Sequence, residues 1–327
     1  MEDNLFTSPY TPVIMKKTIL AFGEVLWDIL PSCTVLGGAP FNFAYRANSL
    51  GDLGLMISRL GRDELGRKAC DQIVQLGLDT RFIQWDDQFP TGTVQVSFDE
   101  QNNPDYFITP EVAYDRIELT EELLEAASAA DCLCFGTLSQ RAGISRKTIE
   151  QLLENADGSI KFLDINLRKK CYSLETVTFS LQQADVLKLN EDEAHQLGDM
   201  LGIKHRSLPE FCREVSGKWS LKYCLVTLGE NGAFASSDDG QKVYVSGYKV
   251  SLADSLGSGD AFSAGFVHKL LRDASISEAC EFGNVLGALV AAKEGATSLI
   301  TLDEIERFCN QDCQRIVHPD LKLFTES

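Results

Sequence analysis

Between positions 254 and 266 the chain reads Asp-Ser-Leu-Gly-Ser-Gly-Asp-Ala-Phe-Ser-Ala-Gly-Phe. Gly257 and Gly259 stand just before an apolar run with helical spacing: Ala261, Phe262, Ala264, Phe266 and Leu270. Glycine lets the backbone turn sharply and come close to a ligand. A helix N-terminus adds unpaired N–H groups and a partial positive charge. Together these suit a phosphate or another anion. Asp260 puts a carboxylate at the mouth of that site, where it either acts as a base or caps the helix.

Further polar groups follow apolar runs elsewhere. Asp28 ends the apolar run 18–27. Gly37-Gly38-Ala39-Pro40-Phe41-Asn42 then leads into Phe43, Ala44, Ala47 and Leu50 at helical spacing, with Pro40 suited to the first turn. Asn42 both donates and accepts hydrogen bonds, as a sugar hydroxyl requires; the alternative is a helix cap. The run 160–165 passes into Asp164-Ile165-Asn166-Leu167-Arg168. Arg168 is a candidate partner for a substrate or phosphate oxygen, or else half of a surface ion pair. Asn190-Glu191-Asp192-Glu193 opens a helix after the run 184–189. Its oxygens suit a phosphate-borne Mg²⁺ held through water, and equally favour the helix dipole. Gly229-Glu230-Asn231-Gly232-Ala233 makes a close-approach turn after 223–228. In the helix expected over 277–294, Gly283, Gly287 and Ala291 form a small-residue stripe interrupted by Asn284. That stripe is either a flat surface for a nucleotide base or a close helix contact.

Strands and helices alternate along most of the chain, which implies an α/β fold with a doubly wound, mostly parallel sheet flanked by helices. The candidate polar groups all lie where strands finish, so one cleft can collect them. Residues 91–109 differ: Val94, Val96 and Phe98 alternate with polar residues, a turn follows at 99–103, and Tyr106-Phe107-Ile108 returns. This hairpin pattern predicts a small antiparallel β lid outside the main sheet, excluding water from the cleft. The lid segments are expected at about 30–39 and 90–112.

The chain has 327 residues and a net charge of −18, which argues against nucleic acid and against anionic membranes as partners. No run has the apolar length of a membrane span. Residues 1–16 are polar, with Pro9 and Pro12, and are expected to form a flexible N-terminal extension rather than a signal peptide; Met15 is a second candidate start. The ten cysteines show no dense framework and fit reduced thiols in a cytoplasmic protein. Cys132 and Cys134 alternate in an apolar run and should share one face of a strand. Cys309 and Cys313 lack a second pair at zinc-site spacing. The sequence carries neither a P-loop nor a Gly-x-Gly-x-x-Gly fingerprint after its first strand, which counts against nucleotide-dependent oxidoreductases.

From about Lys17 to the C-terminus the sequence resembles the ribokinase/PfkB family of carbohydrate kinases. Gly37-Gly38-Ala39-Pro40-Phe41-Asn42 and Asp254-Ser255-Leu256-Gly257-Ser258-Gly259-Asp260 carry the resemblance, in that order and at that separation. Asn190-Glu191-Asp192-Glu193 and the stretch 226–233 match two further family motifs. Ser255 and Ser258 stand where the family usually has Thr and Ala. The resemblance implies one ribokinase-like domain over 17–327 and ATP-dependent phosphorylation of a sugar hydroxyl. Asp260 would be the base, with Gly257, Ser258 and Gly259 donating to the transferring phosphoryl. Asp28, Gly37, Gly38, Asn42, Asp164, Asn166 and Arg168 would hold the sugar. Lys188, Asn190, Thr227, Gly229, Gly232 and Asn284 would line the nucleotide. Asn190 and Glu193 would hold Mg²⁺ through water, and Asp254 would stand near K⁺. A homodimer through the β lid is also implied. Glu24-Val25-Leu26-Trp27-Asp28 followed by the glycine pair most resembles bacterial-type fructokinases, which points to D-fructose and its 6-hydroxyl. The alternatives are 2-keto-3-deoxygluconate, which the run 164–168 would also suit, and then ribose or a nucleoside. A sugar-binding regulator without catalysis is disfavoured because Asp260, Gly257 and Gly259 are intact.

Overall fold

The computed structural model describes residues 16–30, 33–98, 104–204 and 206–325. The expected extension 1–16, apart from Lys16, lies outside the described residues, as do the hairpin turn 99–103 and positions 31–32 of the expected lid.

The strands are β1 (Thr18–Phe22), β2 (Leu26–Ile29), β3 (Thr34–Gly37), β4 (Leu53–Gly61), β5 (Ile83–Asp86), β6 (Gly92–Phe98), β7 (Pro104–Ile108), β8 (Cys132–Phe135), β9 (Ile160–Asp164), β10 (Val186–Asn190), β11 (Tyr223–Thr227), β12 (Ala233–Ser237) and β13 (Lys242–Val245). The helices are α1 (Ala39–Ser49), α2 (Glu64–Gln75), α3 (Glu121–Ala129), α4 (Gly143–Asn155), α5 (Leu174–Gln183), α6 (Glu191–Leu201), α7 (Leu208–Trp219), α8 (Ser258–Leu270), α9 (Ile276–Ala291) and α10 (Leu302–Cys309).

Among the described residues, nine strands form the main sheet in the order β13-β12-β11-β10-β9-β8-β1-β4-β5. All pairings from β11 through β5 are parallel, and β12 and β13 close one edge antiparallel. The two faces carry separate cores, as the two-residue period of a strand requires. Leu20 and Phe22 of β1 pack with residues of α3, α4, α5, α6 and α7. Ile19 and Ala21 pack with residues of α1, α2, α8 and α9. Cys132 and Cys134 do share one face, the second, and both are buried. This is the doubly wound sheet expected from the sequence.

The second sheet has the order β3-β2-β6-β7. β6 and β7 form the expected hairpin, and β3 pairs antiparallel with β2. The central pairing of β2 with β6 is parallel, so this small sheet is mixed. The apolar run 18–27, which reads as one strand, is divided between the two sheets. β1 ends at Phe22, Gly23 has φ of +147°, and β2 begins three residues later in the other sheet. Both pieces are apolar because both are buried, and the change of sheet leaves no mark on hydrophobicity.

Candidate active site

The carboxyl ends of β1, β8 and β9 and the N-terminus of α1 line one cleft, and a hydrogen bond from Asn42 to Asp260 ties the start of α8 to that side of the sheet. Glu24, Pro40, Thr137, Asp164 and Asn166 are among the cleft's lining residues.

Helix α8 starts as the glycine motif dictates. Gly257 is its N-cap in the left-handed region, φ +74°. A β-carbon there would lie 2.3 Å from the Ala296 β-carbon, so both conformation and space demand glycine. No side chain caps this end, which leaves its first N–H groups facing the cleft. Helix α1 is built the same way. Its N-cap Gly38 has φ +119°, and a β-carbon there would meet the Glu24 carbonyl oxygen at 2.3 Å.

Asn42, in the second turn of α1, donates from Nδ2 to Asp260 Oδ2 at 2.8 Å. Its Oδ1 is buried, and no donor among the described residues reaches it. Asp260 therefore has a neutral donor beside it and an unfilled acceptor next door. Burial, followed by the charge of Asp164, pushes the Asp260 carboxyl up to about 6, against the opposing charges of Lys188 and Arg168 and the Asn42 hydrogen bond. A carboxylate poised near neutrality suits proton abstraction better than an ordinary one.

Asp28 lies on β2, in the small sheet, with burial raising its carboxyl to about 6. A β-carbon on Gly37 would lie 2.8 Å from Asp28 Oδ2, so Gly37 makes room for that carboxylate. Arg168 is exposed and forms no ion pair among the described residues, yet its charge acts on Glu24, Asp28 and Asp260 together. Asn166 takes a positive φ of +42° in the same segment.

Asp164 lines the cleft, but its carboxylate is already engaged. Lys188 Nζ donates to both its oxygens, at 3.1 and 3.0 Å, and Ser263 Oγ donates to Oδ2 at 3.0 Å. Asn190 and Glu193 form a reciprocal capping box at the start of α6: Glu193 N donates to Asn190 Oδ1 at 2.8 Å, and Asn190 N to Glu193 Oε2 at 2.9 Å. The second oxygen of Glu193 accepts from Leu167 N at 2.8 Å. Each oxygen keeps a lone pair for water, which fits a phosphate-borne Mg²⁺ reached through water. Among the described residues, no cluster of three His, Cys, Asp or Glu side chains could cage a metal.

Asp254 accepts from Leu256 N at 2.9 Å and from Gly295 N at 3.3 Å, joining the turn before α8 to the turn after α9. Arg46, buried on α1, already donates to the carbonyls of Ala296 and Ser298 in that second turn, at 3.3 and 3.0 Å. Thr227 ends β11 opposite Asn190, and Gly229 and Gly232 follow with φ of +57° and +92°.

The small-residue stripe of α9 packs against α8 and is not a flat surface for a base. A β-carbon on Gly283 would lie 2.8 Å from the Phe262 carbonyl oxygen, and one on Gly287 would lie 3.2 Å from that of Ser258. Asn284 is buried and donates to the Ser246 carbonyl at 2.9 Å.

Two cleft residues were not assigned roles from the sequence. Glu24 is buried between the sheets, where burial raises its carboxyl to about 7. It accepts from its own N–H and from that of Ala39, at the start of α1. Its signal was a charge directly after an apolar strand and four residues before Asp28. Ser263 sits one turn beyond Gly259 and therefore on the same helix face.

With the Asp260 carboxyl and an uncapped, glycine-led helix start on the large sheet and the Asp28 carboxyl on the small one, the molecule is built as a carbohydrate kinase of the ribokinase-like fold. The sequence pattern of the pfkB family carbohydrate kinases matches residues 33–302, and the chain belongs to that family. It is 28% identical over 308 residues to a fructokinase of Vibrio alginolyticus, covering 88% of this chain and 98% of that one. It is 27% identical over 290 residues to a 2-dehydro-3-deoxygalactonokinase of Haloferax volcanii, covering 83% and 86%. The fold matches a fructokinase of Xylella fastidiosa with bound ATP at a TM-score of 0.79 and 22% identity, over 90% of this chain and 98% of that one. No helix among the described residues is long and apolar enough to cross a membrane.

Proposed function

We propose that this carbohydrate kinase transfers the γ-phosphoryl group of Mg-ATP to the 6-hydroxyl of D-fructose. The carrying observation is the pairing of Asp260 with Asn42, whose buried Oδ1 lacks a donor. One sugar hydroxyl donating to Oδ1 would hold the ring so that a neighbouring hydroxyl, with its own proton free, lies beside the Asp260 carboxylate that can take it.

As the fructose oxygen attacks the γ-phosphorus, its proton passes to Asp260 and the bond to the β,γ-bridging oxygen breaks, releasing ADP. The N–H groups of Gly257, Ser258 and Gly259 receive the charge that builds on the phosphoryl oxygens. Asp28, Gly37, Gly38, Asn166 and Arg168 orient the sugar, and Asp164 acts through Lys188. Thr227, Gly229 and Gly232 would line the nucleotide, with Asn284 held behind them by its hydrogen bond to the Ser246 carbonyl. Asn190 and Glu193 would hold Mg²⁺ through water, where it neutralises the phosphates. Asp254 would serve K⁺ between its two turns. The free thiols support a cytoplasmic location. Phe107, 58% exposed on β7, supports a homodimer through the small sheet.

The relatives named fructokinase support the choice of fructose. One observation favours 2-keto-3-deoxygluconate as the second reading: Arg168 forms no ion pair among the described residues while its charge acts on the carboxyls of Glu24, Asp28 and Asp260, as a clamp for a substrate carboxylate would require. A coupled ADP-release assay with Mg-ATP and K⁺ separates the two, run with fructose, 2-keto-3-deoxygluconate, ribose, glucose and adenosine. Preference for fructose is expected. Preference for the keto acid overturns the substrate and makes Arg168 its clamp. With fructose as substrate, Arg168→Ala should raise the sugar KM by about ten- to a hundredfold and leave that of ATP unchanged.

A further inference from the structure

Three buried side chains stand directly behind the start of α8. Lys188, on β10, is 7% exposed; Asp164, opposite it on β9, is 7% exposed; Ser263, on α8, is fully buried. Ser263 Oγ stands 3.0 Å from both Asp164 Oδ2 and the Gly259 carbonyl oxygen, with its one proton shared between the two acceptors. The Lys188 ammonium is so close to the helix that a β-carbon on Gly259 would lie 3.1 Å from Nζ. A buried lysine and a buried aspartate therefore face the residue next to Asp260, from two strands of the main sheet.

We propose that Lys188 and Asp164 are positioning residues whose opposed charges set the pH range over which Asp260 can act as a base. The inference rests on the reading of Asp260 as that base. An ion pair buried this deeply is a weak source of stability, because desolvation offsets the attraction. It has a clear electrostatic effect on a third charge close by. Asp164 disfavours an ionised Asp260, and Lys188 favours it. Ser263 fixes the distance over which both act by tying Asp164 to the backbone of the first turn.

The other groups that face Asp260 are Glu24 after β1, Asn42 on α1, Cys134 on β8 and Arg168 after β9. Glu193, on α6, faces Lys188. None of these is substituted when only the pair is changed; Cys134 and Glu193 also feel both charges, in the same opposed sense, so their response cancels in the double variant as well. Two substitutions should therefore act with opposite sign. Asp164→Asn leaves an unopposed ammonium beside Asp260 and should move the acid limb of kcat/KM down by about one pH unit. Lys188→Gln leaves an unopposed carboxylate and should move it up by about the same amount. The double variant removes both charges, and its limb should return to the wild-type position.

The experiment is the pH dependence of kcat/KM for the preferred sugar in the wild type, the two single variants and the double variant, with folding checked by circular dichroism. Opposite shifts that cancel in the double variant support the proposal. A uniform loss of rate in all three, with the limb unmoved, overturns it and leaves the pair a merely structural role. Should Lys188→Gln not fold, Asp164→Asn and the double variant decide: a lowered limb in the first and a wild-type limb in the second support the proposal, and any other pattern overturns it. An Asp260→Asn variant separates the underlying reading. If it keeps wild-type turnover, Asp260 is not the base. If it is inactive while the pair variants leave the limb in place, only the present inference fails.

Discussion

The placement of α8 against the turn after α9 can be tested by adding one methyl group. In Gly257→Ala the new β-carbon would lie 2.3 Å from the Ala296 β-carbon and 2.8 Å from its α-carbon, where ordinary contact begins at 3.4 Å. The difference, 3.4 − 2.3 Å, means that the start of α8 must back away from the turn by about 1 Å, and a misplacement of that size costs about a hundredfold in rate. The left-handed φ of +74° adds roughly 1–2 kcal/mol of strain for alanine. Since the N–H donors move together with the base, the loss should fall on kcat, with the sugar KM nearly unchanged. Ala296→Gly removes the closest contact but not the α-carbon, so Gly257→Ala/Ala296→Gly should recover part of the loss. Steady-state ADP release measures all three, and thermal unfolding separates catalytic loss from instability. Wild-type kcat in Gly257→Ala would refute the reasoning, because the helix end would then not need its observed place.

Two further outcomes are expected. The Asp260 carboxyl is raised to about 6, so below that pH it is protonated and cannot accept the hydroxyl proton; kcat/KM at pH 5 should be about one-tenth of its plateau, where an ordinary aspartate would still be mostly ionised. A profile flat down to pH 5 contradicts the raised carboxyl, and Glu24→Gln shows how much of the limb belongs to Glu24, itself raised to about 7. Phe107→Glu should convert a dimer to monomers in sedimentation velocity if the small sheet forms the subunit contact; a dimer that persists places the contact elsewhere.

The glycine-led start of α8 and the polar groups at strand ends were legible in the sequence because each depends on neighbours in the chain. Gly257, Gly259 and Asp260 lie within four positions, and the alternation of Cys132 and Cys134 gives a strand face directly. Asn42 was legible as a polar group at a helix start, but its partner Asp260 lies 218 residues away and local spacing could not supply it. The engagement of Asp164 was hidden for the same reason. Lys188 was expected to line the nucleotide; its buried pairing with Asp164 emerges only when β9 and β10 are laid side by side. Asn190 and Glu193 allowed both a cap and a metal-related role, and the capping hydrogen bonds leave both compatible. The stripe on α9 shows the opposite limit: small residues at helical spacing signal close approach, but only the neighbouring helix tells what approaches.

The division of residues 18–29 at Gly23 bears on how such a chain can change over evolutionary time. Asp28 and the room made for it by Gly37 belong to the small sheet, whose strands lie in two short segments, 26–37 and 92–108, interposed between elements of the large one. Asp260, the start of α8 and the Asp164–Lys188 pair belong to the large sheet and its helices. Sequence drift in the two segments can therefore reshape the Asp28 wall of the cleft while Asn166 and Arg168, after β9, and the start of α8 stay in place. One wall of the cleft is thus inherited on pieces separate from the helix start that carries Asp260, so a change there can begin with a few dozen positions and without rebuilding the large sheet.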